Sequence, residues 1–168
     1  TGIVKGADMY VPFSLGAFTY VETPVRYQGK TFLRKGLERD PFANGVFYSS
    51  DLGKTWRLEM ISNQRGLVPT LRQTTGYLYY FSGPYPLWFS RKAANAEVWA
   101  SPRPITKTSH GFDASYGVAG DGDTAHICWM DRRHNKWRFR FDEPTPVNSD
   151  IYYRRRKDSA PEWDKEVW

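Results

Sequence analysis

Arginine, aromatic and carboxylate side chains recur together in the polar segments of this 168-residue chain. Arg39 and Asp40 share one such segment, Arg65 lies in the next, Tyr85 in a third, and His110 and Asp113 in a fourth. The longest follows Asp131 and holds Arg132, Arg133, His134, Trp137, Asp142 and Glu143. A guanidinium forks a carboxylate or sulfate through two parallel hydrogen bonds, and aromatic faces cover the apolar side of a sugar ring. The set fits recognition of acidic sugars, with Arg39, Arg65, Arg132, Arg133 and Trp137 as the binding residues. Any one of these charges is also what a solvated loop carries. The weight rests on segment 132–148, because it is long and holds a Trp.

Other chemistries find less support. The net charge of +6, from 24 basic and 18 acidic residues, favours an anionic partner only weakly. Trp137-Arg138-Phe139-Arg140-Phe141 interleaves Arg with aromatics, as nucleic-acid binders do. On a strand, however, it places three aromatics on one face and two Arg on the other. A half-solvated strand explains it, and nucleic acid is not the expected partner. His110, His126 and His134 have no metal-ligand spacing, and a single Cys excludes an all-thiolate zinc cluster. Gly120-Asp121-Gly122-Asp123 lacks the alternating oxygens and distal Glu of a calcium loop, so it reads as a hairpin turn. No phosphate-loop, dinucleotide or nucleophile-elbow motif is present. No cofactor or metal is expected. Cys128, alone in an apolar strand, reads as a buried small hydrophobe.

The elements that must hold these polar segments are strands. Aromatics make up 17% of the chain, with 14 Gly and 11 Pro, a mixture that favours short strands and frequent turns. Strand-like runs cover 8–15, 17–23, 30–34, 45–49, 57–61, 68–73, 77–82, 87–92, 98–105, 114–119, 124–131, 149–155 and 163–168. No helical period exceeds about two turns, and no apolar run reaches the roughly 18 residues of a membrane span. The N-terminus, Thr1-Gly2-Ile3-Val4-Lys5, has neither an initiator Met nor a signal-peptide core, as in a processed or excised chain.

One stretch organises the rest: Ser49-Ser50-Asp51-Leu52-Gly53-Lys54-Thr55-Trp56, set between two β-forming runs. Asp51 can accept hydrogen bonds from the turn's backbone, Gly53 permits positive φ, and Trp56 can fold back over the turn. The stretch resembles the Asp box (BNR repeat), S-x-D-x-G-x-T-W, of sialidase-like β-propellers, matching every specified position at Ser49, Asp51, Gly53, Thr55 and Trp56. Asp158 and Trp163 repeat the Asp-to-Trp separation in a degenerate copy. A third, weaker candidate runs from Trp88-Phe89 to Trp99.

The resemblance implies an all-β propeller of four-stranded antiparallel blades, about three in this chain, at roughly 1–63, 64–106 and 107–168. Three blades do not close a ring, so further blades or a second copy of the chain would complete it. Asp boxes would sit on one side, with Asp51 structural. The long segments 35–44, 62–67, 83–86, 101–113 and 132–148 would sit on the other. The family resemblance also implies a secreted or surface protein handling glycans, as a glycosidase or as a non-catalytic carbohydrate-binding or assembly module. Sialidases use three Arg, a Tyr–Glu pair and an Asp acid/base, outside the usual two-carboxylate scheme. Asp131, Asp113 and Tyr85 are the candidates for such catalytic roles, and Arg72 joins Arg65 and Arg132 as a further Arg position. The first family Arg lies in F-R-I-P, whose nearest counterpart here is Met9-Tyr10-Val11-Pro12. Tyr10 replaces that Arg, which counts against a complete sialidase site.

Overall fold

The computed structural model describes residues 2–16, 18–27, 29–39, 43–62, 67–83, 86–106, 115–131 and 150–167, with 18–39 largely by its backbone. Among these residues every regular element is a strand and every pairing is antiparallel. The first sheet has the order β1 (Ile3–Lys5), β2 (Asp8–Leu15), β5 (Ala43–Ser49), β6 (Arg57–Ser62). The second is a meander of β7 (Leu67–Gln73), β8 (Tyr77–Gly83), β9 (Trp88–Ala93) and β10 (Arg103–Pro104). The third pairs β11 (Tyr116–Asp121), β12 (Thr124–Asp131) and β13 (Asp150–Lys157). A single bridge from Tyr153 to Val167 extends its edge.

Between β2 and β5 the chain makes a separate two-stranded hairpin, β3 (Phe18–Tyr27) and β4 (Lys30–Arg39). This corrects the expectation of a loop over 35–44: Arg39 ends β4 and pairs with Phe18. Three other boundaries differ. β1 precedes the strand expected to come first; 98–105 narrows to the two residues of β10; and 163–168 contributes only the Val167 bridge. The last two segments are interrupted by Pro102 and Pro104 or confined to one bridge near Glu166, so little ladder can form.

The sheets pack in series. β8 is buried on both faces, so its sequence Tyr-Leu-Tyr-Tyr-Phe is nearly continuous apolar rather than alternating. Leu78 and Tyr80 turn toward the first sheet and join Tyr10, Val46, Leu71 and Trp99. Tyr79 and Phe81 turn the other way and join Leu87, Phe89, Ile105, Ala125, Ile127, Trp129 and Tyr152. Burying one such large side chain is worth about 1.5–3 kcal/mol, so these two seams dominate the packing. Gly120 allows β11 to approach β7, since a Cβ there would collide with the Gln73 carbonyl.

Cys128 is exposed, contrary to the sequence expectation. On β12, Ala125, Ile127, Trp129 and Asp131 point inward, which places Cys128 on the outer face by alternation.

Candidate functional site

Alternating strand direction divides the connections between two ends of the sheets. At one end lie the short turns: residues 6–7, the Ser49–Trp56 stretch, 74–76, 94–102 and Gly122-Asp123. At the other, β2 ends at Leu15, β6 at Ser62, β8 at Gly83 and β12 at Asp131.

The Ser49–Trp56 turn is held almost wholly by its own side chains. The Ser49 hydroxyl donates to Asp51 Oδ1 at 2.7 Å and accepts from the Gly53 N–H at 2.8 Å. Asp51 also accepts from the Thr55 N–H at 2.9 Å and the Thr55 hydroxyl at 2.7 Å. These donors, the Thr55 N–H foremost, hold the Asp51 carboxyl down at about 2. Gly53 takes φ 84°, and Trp56 lies against it, within 3.3 Å of where a Cβ would stand. Both carboxylate oxygens of Asp51 are already engaged by the turn.

Asp158 behaves differently. Its carboxylate accepts from the Thr74 hydroxyl at 2.7 Å, the Gly76 N–H at 2.8 Å and the Tyr79 hydroxyl at 3.2 Å, all on the second sheet. Trp163 stands edge-on to Phe89 at 5.4 Å and also meets Tyr79 and Phe81. This Asp and Trp therefore fasten the third sheet to the second, with Ala160 and Glu162 standing where the first copy has Gly53 and Thr55.

At the opposite end, Asp131 is buried at the end of β12 and pairs directly with Asp150 at the start of β13. Directly opposed residues share a face with Cβ atoms about 5 Å apart, so two carboxylates stand together where segment 132–149 leaves and re-enters the sheet. Two residues inward, Trp129 stacks on Tyr152 at 5.8 Å, and its buried indole N–H has no hydrogen-bond partner. Sequence reasoning singled out Asp131 but passed over Asp150. Strand alternation about the pair would have found it.

The remaining expected site residues separate. Arg65, Tyr85, Asp113, Arg132, Arg133 and Trp137 lie outside the described residues, as do His110 and His134. Arg39 is placed by its backbone in β4. Arg72 is occupied structurally: its Nε donates to the Val118 carbonyl at 2.8 Å, tying β7 to β11. Tyr10, at the F-R-I-P position, is buried between the first two sheets, where burial and then the Asp8 charge push its hydroxyl up to about 12. Among the described residues no group of three His, Cys, Asp or Glu is placed to hold a metal ion, and no helix is long and apolar enough to cross a membrane.

An unforeseen polar cluster lies in the first seam. Glu59 on β6 accepts from Lys92 Nζ on β9 at 2.8 Å, from Trp99 Nε1 at 2.7 Å and from Arg57 Nη2 at 2.8 Å. Burial works to raise its pKa, but the Lys92, Trp99 and Arg57 hydrogen bonds outweigh burial and hold it below the ordinary carboxylate range. Lys92 also lies 5.4 Å from the centroids of both Tyr10 and Tyr48. Such a cluster is a fastener between sheets, since its acceptors and donors are consumed by one another.

The fold so described is all-β, built of antiparallel sheets. Compared with family models, curated proteins and solved structures, the chain matches none.

Proposed function

We propose that this chain is part of a sialidase-like Asp-box β-propeller of a secreted or surface protein, and that its long-segment end recognises acidic glycans. The supporting observation is the Ser49–Trp56 hairpin. All five specified residues take part in the turn, and Asp51 accepts three hydrogen bonds from Ser49 and Thr55. Such a lock pins one end of the sheets and leaves the other end to the long, Arg- and aromatic-rich segments. Arg39, Arg65, Arg132, Arg133 and Trp137 are the binding residues of this reading, with carbohydrate as partner and nucleic acid disfavoured.

Binding without hydrolysis is the better reading of the two, because Tyr10 stands where the family places an Arg and is sealed between sheets. Hydrolysis is favoured by one observation: the opposed carboxylates Asp131 and Asp150 beside the long segment. In most glycosidases such a pair divides into acid and base or nucleophile.

A glycan array followed by titration of the acidic hits tests the proposal. Saturable binding of sialylated, uronic-acid or sulfated glycans, weakened at least tenfold by Arg132→Ala or Trp137→Ala, supports it. Binding that neutral glycans match refutes the acidic-sugar reading. Turnover of a fluorogenic acidic glycoside, lost in Asp131→Asn, would convert the module into an enzyme. Neither binding nor turnover would leave an assembly role.

A further inference from the structure

Among the described residues, none forms a layer against the outer face of the first sheet. Val11, Phe13, Phe47, Leu58 and Met60 share this face by register, and Phe47 and Met60 are 38% and 52% exposed. A continuous apolar sheet face of this kind marks an interaction surface. Among the described residues, the ion pairs of this sheet, Arg57–Glu59 and Lys92–Glu59, lie on its inner face.

The two internal seams show what fits such a face. From the turn after β9, Trp99 crosses to the first sheet and donates to Glu59. From the turn after β13, Trp163 crosses to the second and packs on Phe81 and Phe89. The second and third sheets thus each lay a Trp on the sheet before. Trp56, in the turn after β5, is the first sheet's counterpart, and it is 44% exposed. The complementary half is also on the molecule. On the third sheet, the outward residues of the second and third strands include Cys128 opposite Tyr153 and Met130 opposite Ile151. Phe81 and Phe89 hold the same strand positions on the second sheet. Cys128 is exposed, and Ile151 is 66% exposed.

We infer that the outer face of the first sheet docks on the outer face of the third sheet of a second copy, with Trp56 seated over Cys128 and Tyr153. The contact is heterologous and continues the seams already inside the chain. Two different faces that complement each other generate a closed ring or a filament. Two copies of the three stacked sheets among the described residues give six, within the four to eight that close a propeller. The count rests on the propeller reading; the contact itself rests only on the packing of the sheets and not on glycan binding.

Sedimentation velocity of the chain at micromolar concentration should give twice the mass of one copy. Phe47→Glu and Ile151→Arg, on opposite halves, should each give a monomer with unchanged far-ultraviolet dichroism. Mixed together, the two variants should pair one to one through the single contact each leaves intact. Trp56→Ala should raise the dimer dissociation constant at least tenfold. Cys128 should react slowly with a thiol reagent in the pair and fast in Phe47→Glu. A folded wild-type monomer with reactive Cys128 overturns the inference and assigns both faces to sheets of another polypeptide. A dimer that survives Ile151→Arg overturns it in favour of symmetric pairing through the first sheet alone. Glycan binding that persists in a monomer separates this outcome from failure of the sugar reading.

Discussion

Lys92 Nζ lies 2.8 Å from Glu59 Oε2 across the seam between the second and first sheets, with the two side chains 4% and 8% exposed. A buried pair of this kind is weak evidence of net stabilisation, but removing one member strands the other charge. Glu59→Gln or Lys92→Met alone should therefore cost about 3–5 kcal/mol in urea unfolding. The double replacement Glu59→Leu with Lys92→Met should recover much of that loss. If each single variant unfolds at the wild-type midpoint, the pair contributes nothing to the seam.

The same cluster sets an acid limit. The folded Glu59 pKa lies below its unfolded value, so its contribution is present above the unfolded value, about 4.3, and is lost as pH falls through the folded one. Stability measured from pH 6 downward should drop through this window, and the drop should shrink in Glu59→Gln.

An alkaline limit follows from Tyr10. Its folded pKa is raised from 10.0 to about 12, so its contribution is complete below pH 10 and disappears as pH rises toward 12. Tyr10→Phe should flatten that decline. Phenolate absorbance recorded alongside unfolding checks the order of the two events.

Asp51 and Asp158 should respond differently to truncation. Asp51→Ala removes acceptors for Thr55 and Ser49 only, so faster amide exchange should be confined to residues 49–56. Asp158→Ala leaves Thr74, Gly76 and Tyr79 without their charged acceptor, and should cost at least about 2 kcal/mol globally.

The tryptophans divide likewise. Trp163→Ala empties a contact with Tyr79, Phe81 and Phe89 and should destabilise by about 3 kcal/mol. Trp56→Ala, at a half-exposed position, should leave the unfolding midpoint of a single copy nearly unchanged. Equal losses at both sites would mean Trp56 is covered within one chain.

Strand and turn positions were largely legible because alternation and turn chemistry act over a few residues. The hydrogen bonds among Ser49, Asp51, Gly53 and Thr55 each span at most four positions, so residue type alone specifies them. The segment carrying Arg132 and Trp137 was legible only as chemistry, since no local rule aims a long loop. Both strands of the β3–β4 hairpin were read, at 17–23 and 30–34, but cut short where Pro24 and Gly36 interrupt the β-forming pattern.

What the amino-acid order determined by itself was the all-β class, the positions of most strands and the Asp51 turn. The tertiary structure decided the rest. It chose Glu59 as the partner of Lys92, 33 positions away, and Asp158 as the partner of Thr74, 84 positions away. It also buried Tyr10 and exposed Cys128. Local preference fixes which way a side chain leaves its own strand, whereas what it meets depends on which sheet is stacked there, and that is set by the packing of the whole chain.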